Sequence, residues 1–378
     1  MSEYQYHEWQ TVDRLLTPAE QAEIERLSSH IEVSASRAWV EYHWSDFKHD
    51  PRQVLLDYFD GYFYMANWGT RILMFRFPKG LVDEAPIEPY LLDEVITFET
   101  HGDYQVLTLE FDEEYGEGWM EAEGGLSGFI RLREDLIEGD LRLLYLAWLK
   151  GVALDEEWED DDEFEDAPTD LEPPMPPGLK KLSPSLQHFV RVFDLEPFLV
   201  LAAAETSEPL TASPEIDTGA LVARLPPEER DAFLVDLAEG KPGAARALRK
   251  RLEAFLPQKE RQPAQDARTV TQLQERAEAL ALVEKMRREA EARKKYLDEM
   301  NALAAREPQA WAQVEEQLDN GRKIASVYDG ATDRLKMLEQ LAEFKGTRPD
   351  FDRRVRELGE KYARRSALIA RWKRLGWV

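Results

Sequence analysis

The densest polar and aromatic cluster in the chain is Glu41-Tyr42-His43-Trp44-Ser45-Asp46-Phe47-Lys48-His49-Asp50. His43, Asp46 and His49, with Asp50 beside them, are ligand types that hold a divalent cation through nitrogen and oxygen. Spacings of three within a loop let such side chains converge on one ion, the basis for metal-dependent hydrolase or nuclease chemistry. No HExxH helix accompanies them. The same residues also read structurally, with His43 in a half-buried strand and Asp50 as the cap of a helix, and that reading is the default.

Other reaction chemistries find little support. The 378 residues include no cysteine, which removes disulfides, thiol nucleophiles and thiolate-ligated zinc. The glycines of Glu114-Tyr115-Gly116-Glu117-Gly118-Trp119 and Gly124-Gly125 match neither a dinucleotide fingerprint nor a P-loop. No nucleophile elbow or kinase set is present. With 75 Asp and Glu, paired carboxylates arise by composition alone and carry no argument. No cofactor is expected.

Binding residues are better represented. Asn67-Trp68-Gly69-Thr70-Arg71 reads as a corner between a helix and a strand, with Trp68 and Arg71 as a recognition pair and a packed corner as the alternative. Between Asp155 and Asp166 the chain holds ten carboxylates in twelve residues, interrupted by Trp158 and Phe164. Such a run reads as a solvated spacer; it can also mimic a phosphate backbone or present apolar anchors to a basic partner. Near the C-terminus, Arg371, Trp372 and Arg374 form a basic aromatic group. Cations there also complement a helix dipole without any ligand.

The elements that position these residues are legible from caps and periodicity. Residues 3–12 alternate aromatic and polar side chains as a half-buried strand does. Thr17-Pro18-Ala19-Glu20 is a capping box, and Asp50-Pro51 opens a second helix expected to run from Arg52 to about Ala66. Strands are expected at 71–77, 94–100 and 104–111, the last two joined across His101-Gly102-Asp103, and again near 129–132. A helix is expected from about Leu136 to Lys150. After Pro173, Pro174, Pro176 and Pro177 every signal is helical, including a long helix from Thr271 to Arg306 with a continuous apolar stripe.

Within that tail, Trp311, Val314, Glu315, Tyr328-Asp329, Ala331, Leu335, Leu338, Leu341 and Phe351, followed by an Arg/Lys-rich final helix, resemble the C-terminal helical tail of bacterial SWIM-type zinc-finger proteins. The likeness covers roughly residues 275–378. It implies a shared docking module, and Trp311 and Tyr328 join Arg371, Trp372 and Arg374 as partner-binding candidates. The finger's three cysteines have no counterpart here, so its zinc is not implied. Residues 2–6 with Asp13, Arg14, Leu16, Thr17 and Glu20 are similar to the opening of a group of bacterial proteins, a likeness that brings no activity with it.

The expected fold class is an α+β domain followed by an all-α region of helical hairpins or a bundle, joined by an acidic, proline-rich linker. The expected divisions are an α+β domain at 1–154, a linker at 155–180, a small helical domain at 181–256, and a C-terminal antiparallel bundle at 269–378. Residues 241–378 hold 31 Lys and Arg against 22 Asp and Glu, a formal +9, which leaves −36 for residues 1–240 within the total of −27. That charge disfavours nucleic acid over the acidic part and favours protein partners with basic surfaces. The opening MSEYQYHEWQ has no basic and apolar leader, and no stretch is long and apolar enough to cross a bilayer, so a cytoplasmic, non-membrane protein is expected. The leading functional expectation is a non-catalytic adaptor or scaffold in a bacterial multi-protein assembly. Its rivals are the metal-dependent enzyme at residues 43–50 and a nucleic-acid mimic or accessory protein.

Overall fold

The computed structural model describes residues 3–112, 125–155, 171–210, 218–239, 241, 244–255, 267–321 and 324–378. The chain divides into two compact units, Met1–Ala281 and Leu282–Val378.

The first unit is built on one antiparallel sheet. Its strands are β1 (Gln5–Gln10), β2 (Glu32–Val33), β3 (Arg37–Tyr42), β4 (Gly61–Ala66), β5 (Arg71–Pro78), β6 (Ile96–His101) and β7 (Tyr104–Phe111), in the order β2-β3-β1-β4-β5-β7-β6. Both faces of the sheet are covered. On one, Trp9, Val40, Tyr62, Met74 and Val106 pack with α1 (Pro18–Ile24) and α2 (Pro51–Tyr58) through Ile24, Val54 and Leu55. On the other, Phe63, Phe75, Leu107 and Leu109 share a core with four helices, α3 (Ile130–Ile137), α4 (Arg142–Asp155), α5 (Pro184–Val192) and α6 (Pro197–Ala204). Strands β4 and β5 therefore read as nearly continuous apolar runs, because a strand buried on both sides loses its alternation.

The expected helix starts are present. Thr17 and Glu20 close the capping box on α1, and the Asp50 carboxylate accepts from the Arg52 amide at the start of α2. Gly102, at φ 61°, turns β6 into β7.

Several boundaries differ from expectation. The helix expected to reach Ala66 stops at Tyr58, and residues 61–66 form the central strand β4. Tyr58, Phe59, Tyr62 and Phe63 fit helical spacing, yet Gly61 to Ala66 is an aromatic run whose backbone pairs with β1 and β5 on either side. The stretch near 129–132 enters α3 rather than a strand. The helix expected over 136–150 is two, because Gly139, at φ 86°, breaks the chain between α3 and α4.

The division at 181 is also corrected. Helices α5 and α6 lie in the sheet's own core through Phe189, Phe193 and Ala202. Residues 171–180 are packed as well. Glu172 pairs with Arg268, Tyr90 donates to the Pro174 carbonyl, and Leu179 is buried. Burial of these apolar side chains against the sheet outweighs the local proline signal. A small cluster of Leu221, Leu225 and Leu252 joins α7 (Thr218–Val222) to α9 (Ala244–Glu253), with α8 (Pro227–Ala238) between them in sequence.

The 36-residue helix α10 (Val270–Ala305) contains the boundary between the units. The second unit adds α11 (Glu307–Asn320), α12 (Ala325–Lys345), α13 (Arg348–Lys361) and α14 (Ser366–Arg374). Its core is Leu303, Trp311, Val314, Leu318, Tyr328, Leu335, Phe351, Val355, Trp372 and Trp377. After Pro349 the chain forms two helices, α13 and α14, separated at Tyr362–Arg365. Among the described residues no helix is long and apolar enough to cross a membrane.

Candidate functional site

One end of the sheet gathers the residues that the sequence singles out first. The register aligns Tyr42 of β3, Gln5 of β1 and Ala66 of β4, while Arg71 of β5 pairs with Phe111 of β7. The loop 43–50 and the turn 67–70 therefore emerge side by side, on either side of Tyr4. The Tyr4 amide donates to Asn67 Oδ1 and the Asn67 amide to the Tyr4 carbonyl, both at 3.0 Å. On its other side the Tyr4 ring lies 5.5 Å from the ring of His43.

The loop 43–50 is anchored along most of its length. Asp46 Oδ1 accepts from Gln5 Nε2 at 2.6 Å, and Phe47 inserts against Trp9 and His7 at 5.2 and 5.4 Å between centroids. His49 lies 5.6 Å from Phe47, and Asp50 caps α2. His43, Asp46 and His49 thus have separate packing and bonding partners and do not converge. Among the described residues no group of three or more His, Cys, Asp or Glu could hold a metal ion, which removes the expected cluster as a metal site. Trp44 has 77% of its surface exposed and is the loop's large apolar side chain that faces solvent.

Beneath the loop sits His7, which sequence reasoning passed over. Its ring is enclosed by Trp9, Tyr42, Phe47, Tyr62 and Tyr64, with centroids 4.7 to 6.2 Å away. Nδ1 lies 3.0 Å from the Tyr62 hydroxyl, while Nε2 has no hydrogen-bond partner. Burial lowers the His7 pKa to about 4, against a smaller opposing effect of the Asp46 carboxylate. Burial likewise raises Tyr62 and Tyr64 above the usual phenol range. At neutral pH this is an uncharged aromatic floor that supports the loop. The only sequence signal for it was the alternation of β1.

The turn 67–70 is a hairpin between β4 and β5, not the expected helix-to-strand corner. Gly69, at φ 113°, makes it possible. Trp68 is 42% exposed, whereas Arg71 is 8% exposed and faces into the sheet's core, so the expected pair does not form one surface. Thr70 Oγ1 donates to Asp112 Oδ1 at 2.7 Å, placing a further carboxylate at this end of the sheet.

Two buried charge clusters hold the scaffold. Arg133, fully buried, forks onto Asp13 at 3.1 and 2.7 Å, and Arg76 donates to Asp60 at 2.8 Å. Burial pushes the Asp60 pKa up, but the amides of Val12 and Asp13 together with Arg76 and Arg133 bring it below its ordinary value. On the other face of β1, Glu8 accepts from the Tyr6 hydroxyl at 2.9 Å and the Leu126 amide at 2.7 Å. Gly125, at φ 48°, leaves room for it: a Cβ there would lie 2.2 Å from Glu8 Oε2. Nearby, an open recess of about 700 Å³ is lined by Ser127, Ser185, His188 and Arg191. Its histidine is engaged, Nδ1 lying 2.9 Å from Arg191 and the ring 4.5 Å from Phe129. Burial, then Arg191, lowers the His188 pKa.

In the second unit most of the expected contact residues are core. Trp311 is 3% exposed, Tyr328 5% and Trp372 0%. The Trp372 indole donates to Thr332 Oγ1 at 3.2 Å, and Arg371 is bonded to Asp329 at 2.7 Å. Of that group Arg374 is exposed and Arg371 half-buried. Apolar side chains that do face solvent include Leu282, Val283, Met286 and Leu297 on α10, with Ile324, Met337, Phe344 and Leu375 elsewhere in the unit. Trp158 and Phe164 lie outside the described residues. Comparisons of the chain with protein families, with curated proteins and with solved structures returned no match.

Proposed function

We propose that the chain acts as a non-catalytic adaptor in a bacterial cytoplasmic assembly, and that it engages a protein partner through the Tyr4 end of its sheet. The observation that carries this reading is Trp44. The loop around it is fixed by His43 on Tyr4, Asp46 on Gln5 and Phe47 on Trp9, yet its largest apolar side chain is 77% exposed. A tryptophan offers about 200 Å² for burial, so covering this ring would contribute roughly 4 kcal/mol before ordering costs. Rigid, exposed aromatic side chains are what protein interfaces use as anchors. Trp68, on the neighbouring turn, is a second indole exposed at this end of the sheet.

The likeness of residues 275–378 to the tails of SWIM-type proteins supports a docking role for the second unit as well. There the exposed apolar side chains of α10 offer a surface, since Trp311, Trp372 and Trp377 are interior.

The experiment is a tagged pull-down from the native host, with and without nuclease, read by mass spectrometry. A stoichiometric protein partner that survives nuclease and is lost from the Trp44→Ala/Trp68→Ala variant is the expected result. Recovery of the bare chain under gentle conditions would end the adaptor reading.

A further inference from the structure

Helix α10 is bare along its middle. From Lys285 to Glu299, fifteen residues, the helix is exposed on every side. A helix of that length with no tertiary face to support it is marginal in water. Ion pairs of Arg287 with Glu284 and Glu291, and of Arg288 with Glu284, lace one side of it. Another side carries a seam. Val283, Met286, Ala290, Arg293 and Leu297 follow one another in steps of three and four, the 3.5-residue period by which helices wind around each other. Leu282 lies beside the seam, and Leu282, Val283, Met286 and Leu297 are each 38–64% exposed.

Charge selects what can lie on this seam. Residues 282–299 hold six Lys and Arg against five Asp and Glu, a formal +1 in a chain of −27, so neither a strongly acidic nor a strongly basic partner is favoured. Glu289 flanks the seam on one edge and Lys294 on the other, and among the described residues neither is in an ion pair. In a parallel pair of identical helices each seam residue meets its own copy, and Glu289 stands opposite Lys294 of the second copy, twice by symmetry. An antiparallel pair would instead set Arg287 against Lys294, like against like. The four exposed apolar side chains offer roughly 400 Å² per copy, about 800 Å² for a pair, which is the size of a weak and reversible interface.

We infer that residues 282–299 of α10 pair in parallel with the same residues of a second copy of this chain. The pairing deepens the docking role read for the second unit and does not depend on a partner at the Tyr4 end. Arg293 puts like charges into one layer of the seam, which limits affinity and keeps the association concentration-dependent.

Sedimentation velocity of the full chain at physiological salt, across about 1–200 µM, is expected to convert a 43.7 kDa species into one of twice that mass. Val283→Gln/Met286→Gln is expected to weaken the pair at least about tenfold. Glu289→Lys is expected to weaken it about fivefold, with recovery in Glu289→Lys/Lys294→Glu. The chain has no cysteine, so Ala290→Cys carries a single thiol; on oxidation it is expected to form a disulfide-linked dimer that Ala292→Cys, off the seam, does not. All these side chains are exposed, so unchanged circular dichroism at low concentration verifies the fold of each variant. A chain that stays monomeric throughout, a dimer indifferent to Val283→Gln/Met286→Gln, or equal cross-linking at positions 290 and 292 overturns the inference. A monomer that loses a host protein through Val283→Gln/Met286→Gln assigns the face to another partner, which overturns the pairing and leaves the docking role standing. Recovery of the bare chain from its host ends the adaptor reading and leaves the measured self-pairing untouched.

Discussion

Acidification should weaken the first unit through His7, and the size of the effect follows from its surroundings. The imidazole is 4% exposed and ringed by five aromatic side chains, and its pKa falls from 6.5 to about 4. Between those values the unfolded chain holds a proton at His7 that the native chain does not. Stability therefore rises with pH across this window, is complete above about pH 6.5, and is lost as pH falls towards 4. At 1.36 kcal/mol per unit, the gap corresponds to about 3.4 kcal/mol in the limit, and to about 2.4 kcal/mol between pH 7 and pH 4.5. Urea unfolding of wild type and His7→Gln at those two pH values isolates the contribution. Asp60, whose native pKa is also lowered, loses stability in acid too, but it is common to both proteins and drops out of the difference. Wild type should lose about 2.4 kcal/mol more than His7→Gln on acidification. A difference within about 0.5 kcal/mol of zero would mean that protonated His7 is accommodated, and the account of the aromatic floor would fall.

Two further substitutions probe the scaffold. Arg133→Met leaves Asp13 without its fork and Asp60 short of one cation, so the first unit should lose about 3–5 kcal/mol in chemical denaturation; a loss below about 1 kcal/mol would show that solvent replaces the guanidinium. Trp372→Ala empties the centre of the second unit's core and removes the indole donor to Thr332 Oγ1, costing about 3–5 kcal/mol, whereas Arg374→Ala at the surface should change stability by less than about 0.5 kcal/mol. Equal melting temperatures for the two variants would contradict the placement of Trp372 in the interior.

The candidate site was legible only in part. The residues 41–50 stood out by composition, and their helix cap at Asp50 was readable from a local rule. That His43 rests on Tyr4, Asp46 on Gln5 and Phe47 on His7 depends on strands 35 to 45 residues away, and no local pattern carries that information. The metal alternative to the structural default could not be weighed locally for this reason: ligand spacing along a loop says nothing about which side chains the sheet beneath will claim. Trp311, Tyr328 and Trp372 failed differently. An apolar stripe on a helix announces a covered face, but a core and a docking surface produce the same stripe.

By itself the sequence determined the elements whose causes lie within a few residues. These are the Thr17 capping box, the Asp50 cap, the Gly102 hairpin, the long α10 and the turn from a mixed head to a helical tail. Tertiary structure decided the rest. Residues 61–66 are a strand because β1 and β5 satisfy their backbone on both sides, although their spacing suits a helix. Helices α5 and α6 belong to the head because the sheet's second face must be covered. Trp44 is outside and Trp372 inside because packing partners, distant in the chain, reach one and not the other. Hydrogen bonds at a helix end are local, whereas burial is a property of the assembled surface.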